Sequence, residues 1–302
     1  MYDTIIIGSG VAGLAAAMYA GRLQLKTLVL GDVPGGTITT THVVENYPGF
    51  TSVTGKELAD AIQEHAQVYD IEIKQEKVLK IEKNECFFVS GRNTYKGKTI
   101  IIATGTEYKR LDIKGADLPG VHYCALCDGP LYTGRTVAVV GGSDSAAKEA
   151  LLLSEFAQKV FLIYRGNELH PEPVNLNRVR TNEKIEVITN TNILEIQGEK
   201  RVQKLILDNP YNGSTQFSVD GLFVAIGLVP LSGIAKDIGV NTNERHEIII
   251  DKNSKTNVEG VFAAGDVTNT DFKQAIIGAA QGVTAAYQAY EYAKKKKVYP
   301  CG

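Results

Sequence analysis

The chain has few cysteines, no surplus of positive charge and no long apolar run, and each shortage narrows what it can be. Four cysteines in 302 residues are too few for a disulfide scaffold. A formal net charge of -2 leaves no basic excess to neutralise phosphates, which argues against nucleic-acid binding. No apolar stretch approaches the roughly 18 residues that a membrane-spanning helix needs. A secretory leader is not expected, because Tyr2 to Gly8 reads as a strand running straight into a glycine turn. What is present is 44% hydrophobic and 22% charged residues, an ordinary globular composition at a length that fits two domains. A cytosolic α/β protein is expected.

The order of elements sharpens this. Thr4 to Ile7 is a β-branched run, Gly8-Ser9-Gly10-Val11-Ala12-Gly13 follows, and Leu14 to Ala20 is a strong helix former ahead of a second β run, Lys26 to Leu30. The same strand–turn–helix–strand grammar recurs at Thr136 to Val140, Gly141 to Ala146, Ala147 to Ala157 and Val160 to Tyr164. Each half then carries a polar stretch of alternating strands, Glu72 to Phe88 and Ile185 to Val219, and an apolar strand ending in Gly105 or Gly227. The fold class read from this is α/β with two Rossmann-like domains of the three-layer ββα type. The strand at Gly260 to Asp266 and the helix Gln274 to Ala293 are assigned to the first domain. That makes it discontinuous, 1–110 with 234–302, around a central domain at 111–233, with hinges near Arg110 to Gly115 and Leu231 to Ile234.

The first glycine box sits where a dinucleotide site needs it. Gly8 makes the turn, Gly10 admits a pyrophosphate to the backbone, and Gly13 allows close helix packing. The acid that would hold a ribose is displaced, since Gly31 occupies its slot and Asp32 follows. Gly265-Asp266 ahead of Lys273-Gln274-Ala275 favours a flavin, with Asp266 on a ribityl hydroxyl and the helix dipole facing the ring. An Asp in that position also reads as a plain helix cap. Cys124-Ala125-Leu126-Cys127 is the sharpest chemical signal. Two thiols at this spacing can close a small disulfide at a helix N-terminus, and Asp128 follows to pass a proton. Zinc with His122 as third ligand and a purely structural pair are the rival readings. No metal is expected, because a fourth ligand is lacking.

Gly8 to Gly13, Gly35-Gly36-Thr37, Glu45-Asn46-Tyr47-Pro48-Gly49, Ala103-Thr104-Gly105, Cys124 to Gly129, Gly141-Gly142 and Gly265-Asp266 stand in the order found in the low-molecular-weight thioredoxin reductases, which the whole chain resembles. The resemblance implies a homodimer with one FAD per subunit and thioredoxin as the partner. The FAD contacts it implies are Gly8, Ser9, Gly10, Ala12, Gly13, Gly31, Gly35, Gly36, Thr37, Asn46 and Val78, with Ala103, Thr104, Gly105, Gly265, Asp266, Lys273, Gln274 and Ala275. Carried over in the same way, Cys127 is the cysteine nearer the flavin, Cys124 the one that attacks thioredoxin, and Asp128 the acid.

The second glycine box departs from that family. Ser143 stands where a glycine is wanted, and Tyr164-Arg165-Gly166-Asn167-Glu168-Leu169-His170-Pro171-Glu172 keeps only Arg165 of the basic cluster that grips a 2′-phosphate. Glu168 and Glu172 would repel a phosphate, and no acid near Tyr164 suits NADH. The pattern is similar to the ferredoxin-dependent flavin thioredoxin reductases, so reduced ferredoxin is the expected donor. A reduced deazaflavin is a further possible donor. The alternatives kept open are an NADPH-dependent thioredoxin reductase with a degenerate phosphate site, a flavin dithiol oxidase and a non-enzymatic redox sensor. Lys294 to Lys297 is a candidate ferredoxin patch, read more simply as a solvated helix end. Cys86 is read as a small buried hydrophobe in a strand, and Cys301 as a free tail thiol.

Overall fold

The computed structural model describes residues 1–295, so Lys296, Lys297, Tyr299 and Cys301 lie outside the described residues. The chain divides into two units. One joins Met1–Glu107 to the segment from Val229 onward; the other is Tyr108–Leu228. The two crossings, Thr106–Tyr108 and Leu228–Pro230, pair with one another as a short ribbon.

In the first unit, four parallel strands run Ile71–Gln75, Thr27–Gly31, Tyr2–Ile7 and Thr94–Ile102 across the sheet, with Ile5 paired to both Leu28 and Ile100. The long strand Thr94–Ile102 then forks. Its first half pairs antiparallel with Phe87–Ser90, and its last residues pair parallel with Val261–Ala263. The alternation of β-branched residues fills both faces. Ile5, Leu28, Ile100 and Val261 point into one cluster, while Ile6, Val29, Ile101 and Phe262 point into the other. The second cluster is closed by Ala16, Ala17, Ala20, Ala285, Ala286 and Ala289, from the helices Val11–Arg22 and Ala275–Lys295. Alanine lets these helices come close. At Gly282 a Cβ would stand 2.1 Å from the Ala12 carbonyl oxygen.

The second unit repeats the plan on a smaller scale. Five parallel strands lie in the order Ile185–Ile188, Lys159–Ile163, Thr136–Val140, Gly221–Val224 and Val121–His122. The helices Asp144–Phe156 and Pro173–Thr181 are on one side, where Val137, Val139 and Phe223 meet Ala146, Ala147, Ala150 and Leu153. On the other side the meander Ile193–Gln197, Lys204–Tyr211 and Ser214–Ser218 packs Ile196, Leu205 and Phe217 against Ala138, Leu222 and Val224. Sheet, helices on one face and a β layer on the other are the two Rossmann-like domains of the α/β class. Among the described residues no helix is long and apolar enough to cross a membrane.

Two local expectations need correction. The helix of the second glycine box begins at Asp144, three residues before Ala147, because the Ala147 amide already closes a helical turn on the Ser143 carbonyl at 3.1 Å. Cys86 is buried, but it lies in the turn before the strand Phe87–Ser90 and is not a free thiol.

Candidate active site: a dinucleotide cradle and a helix-borne disulfide

Gly8 leaves the strand Tyr2–Ile7 at φ +114°, a conformation that favours glycine. A Cβ on Gly8 would stand 2.0 Å from the Ala103 carbonyl oxygen, and one on Gly13 would stand 1.9 Å from that of Gly8. The chain's own packing therefore demands both glycines. Gly10 is different, with φ -81° and its nearest neighbour, the Gly36 Cα, at 3.6 Å from a built Cβ. Packing among the described residues does not require glycine there, and its bareness leaves room for a group to approach the backbone from outside. The helix Val11–Arg22 has no side chain bonding its N-terminal amides and no acidic residue in its first turn. Those amides stay open to an anion.

The other cradle residues gather at the carboxyl ends of the same strands. The Gly35 amide donates to the Ser9 carbonyl at 3.1 Å, and the Ser9 hydroxyl donates to the Val33 carbonyl at 3.0 Å. Gly31 is packed so tightly that a Cβ would fall 2.1 Å from the Ser9 hydroxyl. Thr37 opens the short turn Gly36–Thr40, and its hydroxyl reaches the Thr106 carbonyl at 3.5 Å. Thr104 donates to the Leu231 carbonyl at 2.7 Å beside Gly105, while Gly265 comes against Ala12. Val78 is buried a turn beyond the strand Ile71–Gln75, and Asp32 is exposed.

Asp266 is half-buried and its carboxylate has no hydrogen-bond partner among the described residues. Burial pushes its carboxyl upward, only partly offset by the Lys273 ammonium. A buried acceptor left in this state fits a ligand hydroxyl. Lys273, by contrast, spends its ammonium inside the protein, on the Asp266 and Thr268 carbonyls at 2.9 and 2.8 Å and on Glu247 at 2.8 Å. Asn46 donates to Gln274 at 3.0 Å just ahead of the helix that opens at Ala275. Bare amides for a pyrophosphate and an unbonded acid for a hydroxyl together fit FAD.

The second unit carries the sulfurs. Cys124 and Cys127 form a disulfide, with Cα atoms 5.4 Å apart, across the single turn Ala125–Asp128. Cys124 caps that turn and its Sγ accepts from the Cys127 amide at 3.1 Å. Cys124 is buried and Cys127 exposed. Asp128 contacts His122 Nδ1 at 3.0 Å, and His122 Nε2 shares a 2.7 Å hydrogen bond with the Tyr132 hydroxyl. The sheet register sets this geometry, since His122 pairs with Phe223 and its ring stacks on that side chain at 5.0 Å.

One member was missed in the sequence. Glu149, on the helix Asp144–Phe156, accepts from the Ala125 amide at 2.5 Å, and burial pushes its carboxyl up to about 7 against the opposing pull of that bond. The signal was there. Glu149 falls in phase with Ala146, Ala150 and Leu153 on the face of the helix that turns inward, where a carboxylate has no ordinary reason to be.

The glycine turn of the second unit is shaped otherwise than the first. The Tyr164 ring lies against Gly142 and Gly166, where built Cβ atoms would be only 2.4 and 2.5 Å from it, and the His170 amide donates to the Gly142 carbonyl at 2.9 Å. Asp144 is the first residue of the helix Asp144–Phe156 and puts an acid in its first turn. Its carboxylate accepts from the Glu172 amide at 3.0 Å and the Asn175 side chain at 2.8 Å, and pairs with Lys148 at 2.8 Å. Burial alone would raise the Asp144 carboxyl, but these bonds outweigh it and hold it low. Ser143 makes no capping bond, and Arg165 is exposed.

A bare dinucleotide cradle on one Rossmann-like unit and a disulfide on the other define a flavoprotein of the disulfide oxidoreductase class. The chain belongs to the pyridine nucleotide-disulphide oxidoreductase family, whose model matches residues 2–289. It is 36% identical over 303 residues to a thioredoxin reductase of Bacillus subtilis, covering 98% of this chain and 96% of that protein. Among solved structures it is similar to a thioredoxin reductase of Lactococcus lactis, with a TM-score of 0.94, 36% identity and coverage of 98% and 100%. A ferredoxin-flavin thioredoxin reductase of Clostridium acetobutylicum is 34% identical over 99% of each chain, with a TM-score of 0.54.

Proposed function

We propose that the protein is an FAD-bearing thioredoxin reductase, acting as a homodimer, whose electrons come from reduced ferredoxin rather than from NADPH. The observation that carries the choice of donor is Asp144. Asp144 stands in the first turn of the helix where a nicotinamide dinucleotide would set its pyrophosphate, and its carboxylate, held by Glu172, Asn175 and Lys148, puts negative charge there. The Tyr164 ring covers the glycine beside it, and Glu168 and Glu172 add negative charge where a 2′-phosphate would go. The NADPH alternative retains only Arg165. When bound, FAD supplies a two-electron store that can be filled one electron at a time.

The chain's residues then handle the disulfide. Once Cys124 and Cys127 are reduced, the Cys127 amide is in place to hold the charge of a Cys124 thiolate. Cys124 is buried while the disulfide is closed, so the unit must first turn it outward; its thiolate then attacks one sulfur of the thioredoxin disulfide, forming a mixed disulfide and releasing the partner's other sulfur as a thiolate. Asp128, steadied by His122, delivers the proton that this leaving sulfur takes up. Cys127 then attacks the Cys124 sulfur, re-forming the internal disulfide and freeing reduced thioredoxin. The test is anaerobic thioredoxin reduction with reduced ferredoxin, NADPH or NADH as sole reductant. Turnover with ferredoxin alone is expected, and equal or faster turnover with NADPH would overturn the choice of donor.

A further inference from the structure

Glu149 takes no part in that account, yet it touches the redox turn directly. It lines a cavity of the second unit together with Tyr108, Tyr123, Ser145 and Val224. Three amides of the turn Ala125–Asp128 have acceptors, that of Asp128 bonding the Cys124 carbonyl. Ala125 donates to the Glu149 carboxylate and Cys127 to the Cys124 sulfur. While the disulfide is closed, only one of those acceptors carries charge. Reduction creates a second one, a Cys124 thiolate, at the mouth of the same turn. Two negative charges on amides of one short turn disfavour each other, and a proton on Glu149 relieves the conflict.

We propose that Glu149 is a positioning residue for the redox pair, holding the turn as a carboxylate while the disulfide is closed and taking up a proton when the disulfide is reduced. The inference rests on the reading of Cys124 and Cys127 as a redox couple. With Glu149 ionised, two electrons and two protons convert the disulfide and the carboxylate into a Cys124 thiolate, a Cys127 thiol and a carboxylic acid. With Glu149 already protonated, or replaced by an amide, the same two electrons need one proton fewer.

The groups facing Glu149 do not offer another route for that proton. The cavity contributes the phenols of Tyr108 and Tyr123, the latter under the Arg110 guanidinium at 5.3 Å from its ring. On its own helix Lys148 is paired with Asp144, and on the redox turn Asp128 is paired with His122. Glu149 itself forms no ion pair among the described residues.

The test equilibrates the FAD-loaded protein with dithiothreitol buffers between pH 6 and 9 and counts Cys124 and Cys127 thiols by alkylation and mass spectrometry. Glu149→Gln keeps an oxygen for the Ala125 amide and removes the proton site. Above pH 7 the wild-type equilibrium constant should shift about tenfold more per pH unit than that of the variant, equivalent to about 30 mV for one proton per two electrons. Coincident slopes would overturn the role of Glu149. Failure of the wild type to exchange with dithiothreitol at all would instead overturn the redox reading on which it rests. Should Glu149→Gln not fold, infrared difference spectra of Asp128→Asn decide the matter. A protonated-carboxyl band gained on reduction is expected, and its absence contradicts the proposal.

Discussion

His122 Nδ1 lies 3.0 Å from the Asp128 carboxylate, and its other ring nitrogen meets the Tyr132 hydroxyl at 2.7 Å. The acid beside the redox pair is therefore held from behind by an imidazole that is itself fixed by a phenol and by stacking on Phe223. Asp128→Asn is expected to lower thioredoxin turnover by about 10²-fold or more, the usual size of a lost general acid. His122→Gln, which keeps a polar group near Asp128 but not the two-sided bridge, should cost about tenfold. Single-turnover thiol exchange with oxidised thioredoxin reads both, and an unchanged rate in His122→Gln would remove His122 from the account.

Packing demands glycine at Gly13 but not at Gly10. Gly13→Ala would force a methyl to within 1.9 Å of a backbone oxygen and should fail to fold or lose several degrees of Tm. Gly10→Ala meets only ordinary contacts, so its apo form should melt within a few degrees of the wild-type apo form. Its flavin content should nevertheless fall at least about tenfold, because a methyl there obstructs the pyrophosphate. Absorbance and thermal melts of both variants check this. A Gly10→Ala protein that retains its flavin contradicts the site.

Burial makes the Asp266 carboxylate a burden on the apo fold at neutral pH. Its folded-state carboxyl is pushed up by burial, so this residue favours the fold below its unfolded pKa, and that contribution is lost as pH rises through the folded value. At neutral pH the apo protein should be stabilised by Asp266→Asn, and the gain should vanish in acid. The same variant should bind FAD about 10- to 100-fold more weakly, as expected for a lost hydrogen bond to a charged group. Melts of the apo forms from pH 4 to 8 test the sign.

Much of this was legible in the sequence because glycine and β-branched runs act locally. The turn at Gly8 to Gly13 and the alternating Ile5, Ile6 and Ile7 fix strand, turn and facing from a few adjacent residues. What could not be read depends on residues far apart in the chain. Ser143 marked the second glycine box as damaged, yet the acid in the first helical turn, Asp144, is held by Glu172 and Asn175, 28 and 31 residues on, and Tyr164 covers the glycine. Lys273 stands among the cofactor residues by its place in the chain, but only the fold shows its ammonium engaged by Glu247. Glu149 needed both the inward face of its helix and the arrival of Ala125 from 24 residues away.

The arrangement at Asp144 also predicts what a single repair will not do. Ser143→Gly restores the glycine pattern but leaves the Asp144 carboxylate and the Tyr164 ring in place. No gain in NADPH-dependent turnover is expected from it. Adding Asp144→Asn removes the charge at the helix N-terminus, and only then should weak NADPH binding become measurable by fluorescence quenching. Efficient NADPH use by Ser143→Gly alone would show that Asp144 and Tyr164 do not block the site.

The most direct measurement is an anaerobic titration of the FAD-loaded protein, following flavin absorbance with NADPH, then NADH, then reduced ferredoxin. The account predicts no bleaching by stoichiometric nicotinamide of either kind, followed by complete bleaching with ferredoxin and passage of the electrons to thioredoxin. Prompt bleaching by one equivalent of NADPH would contradict it, and would make the helix N-terminus at Asp144 a working nucleotide site.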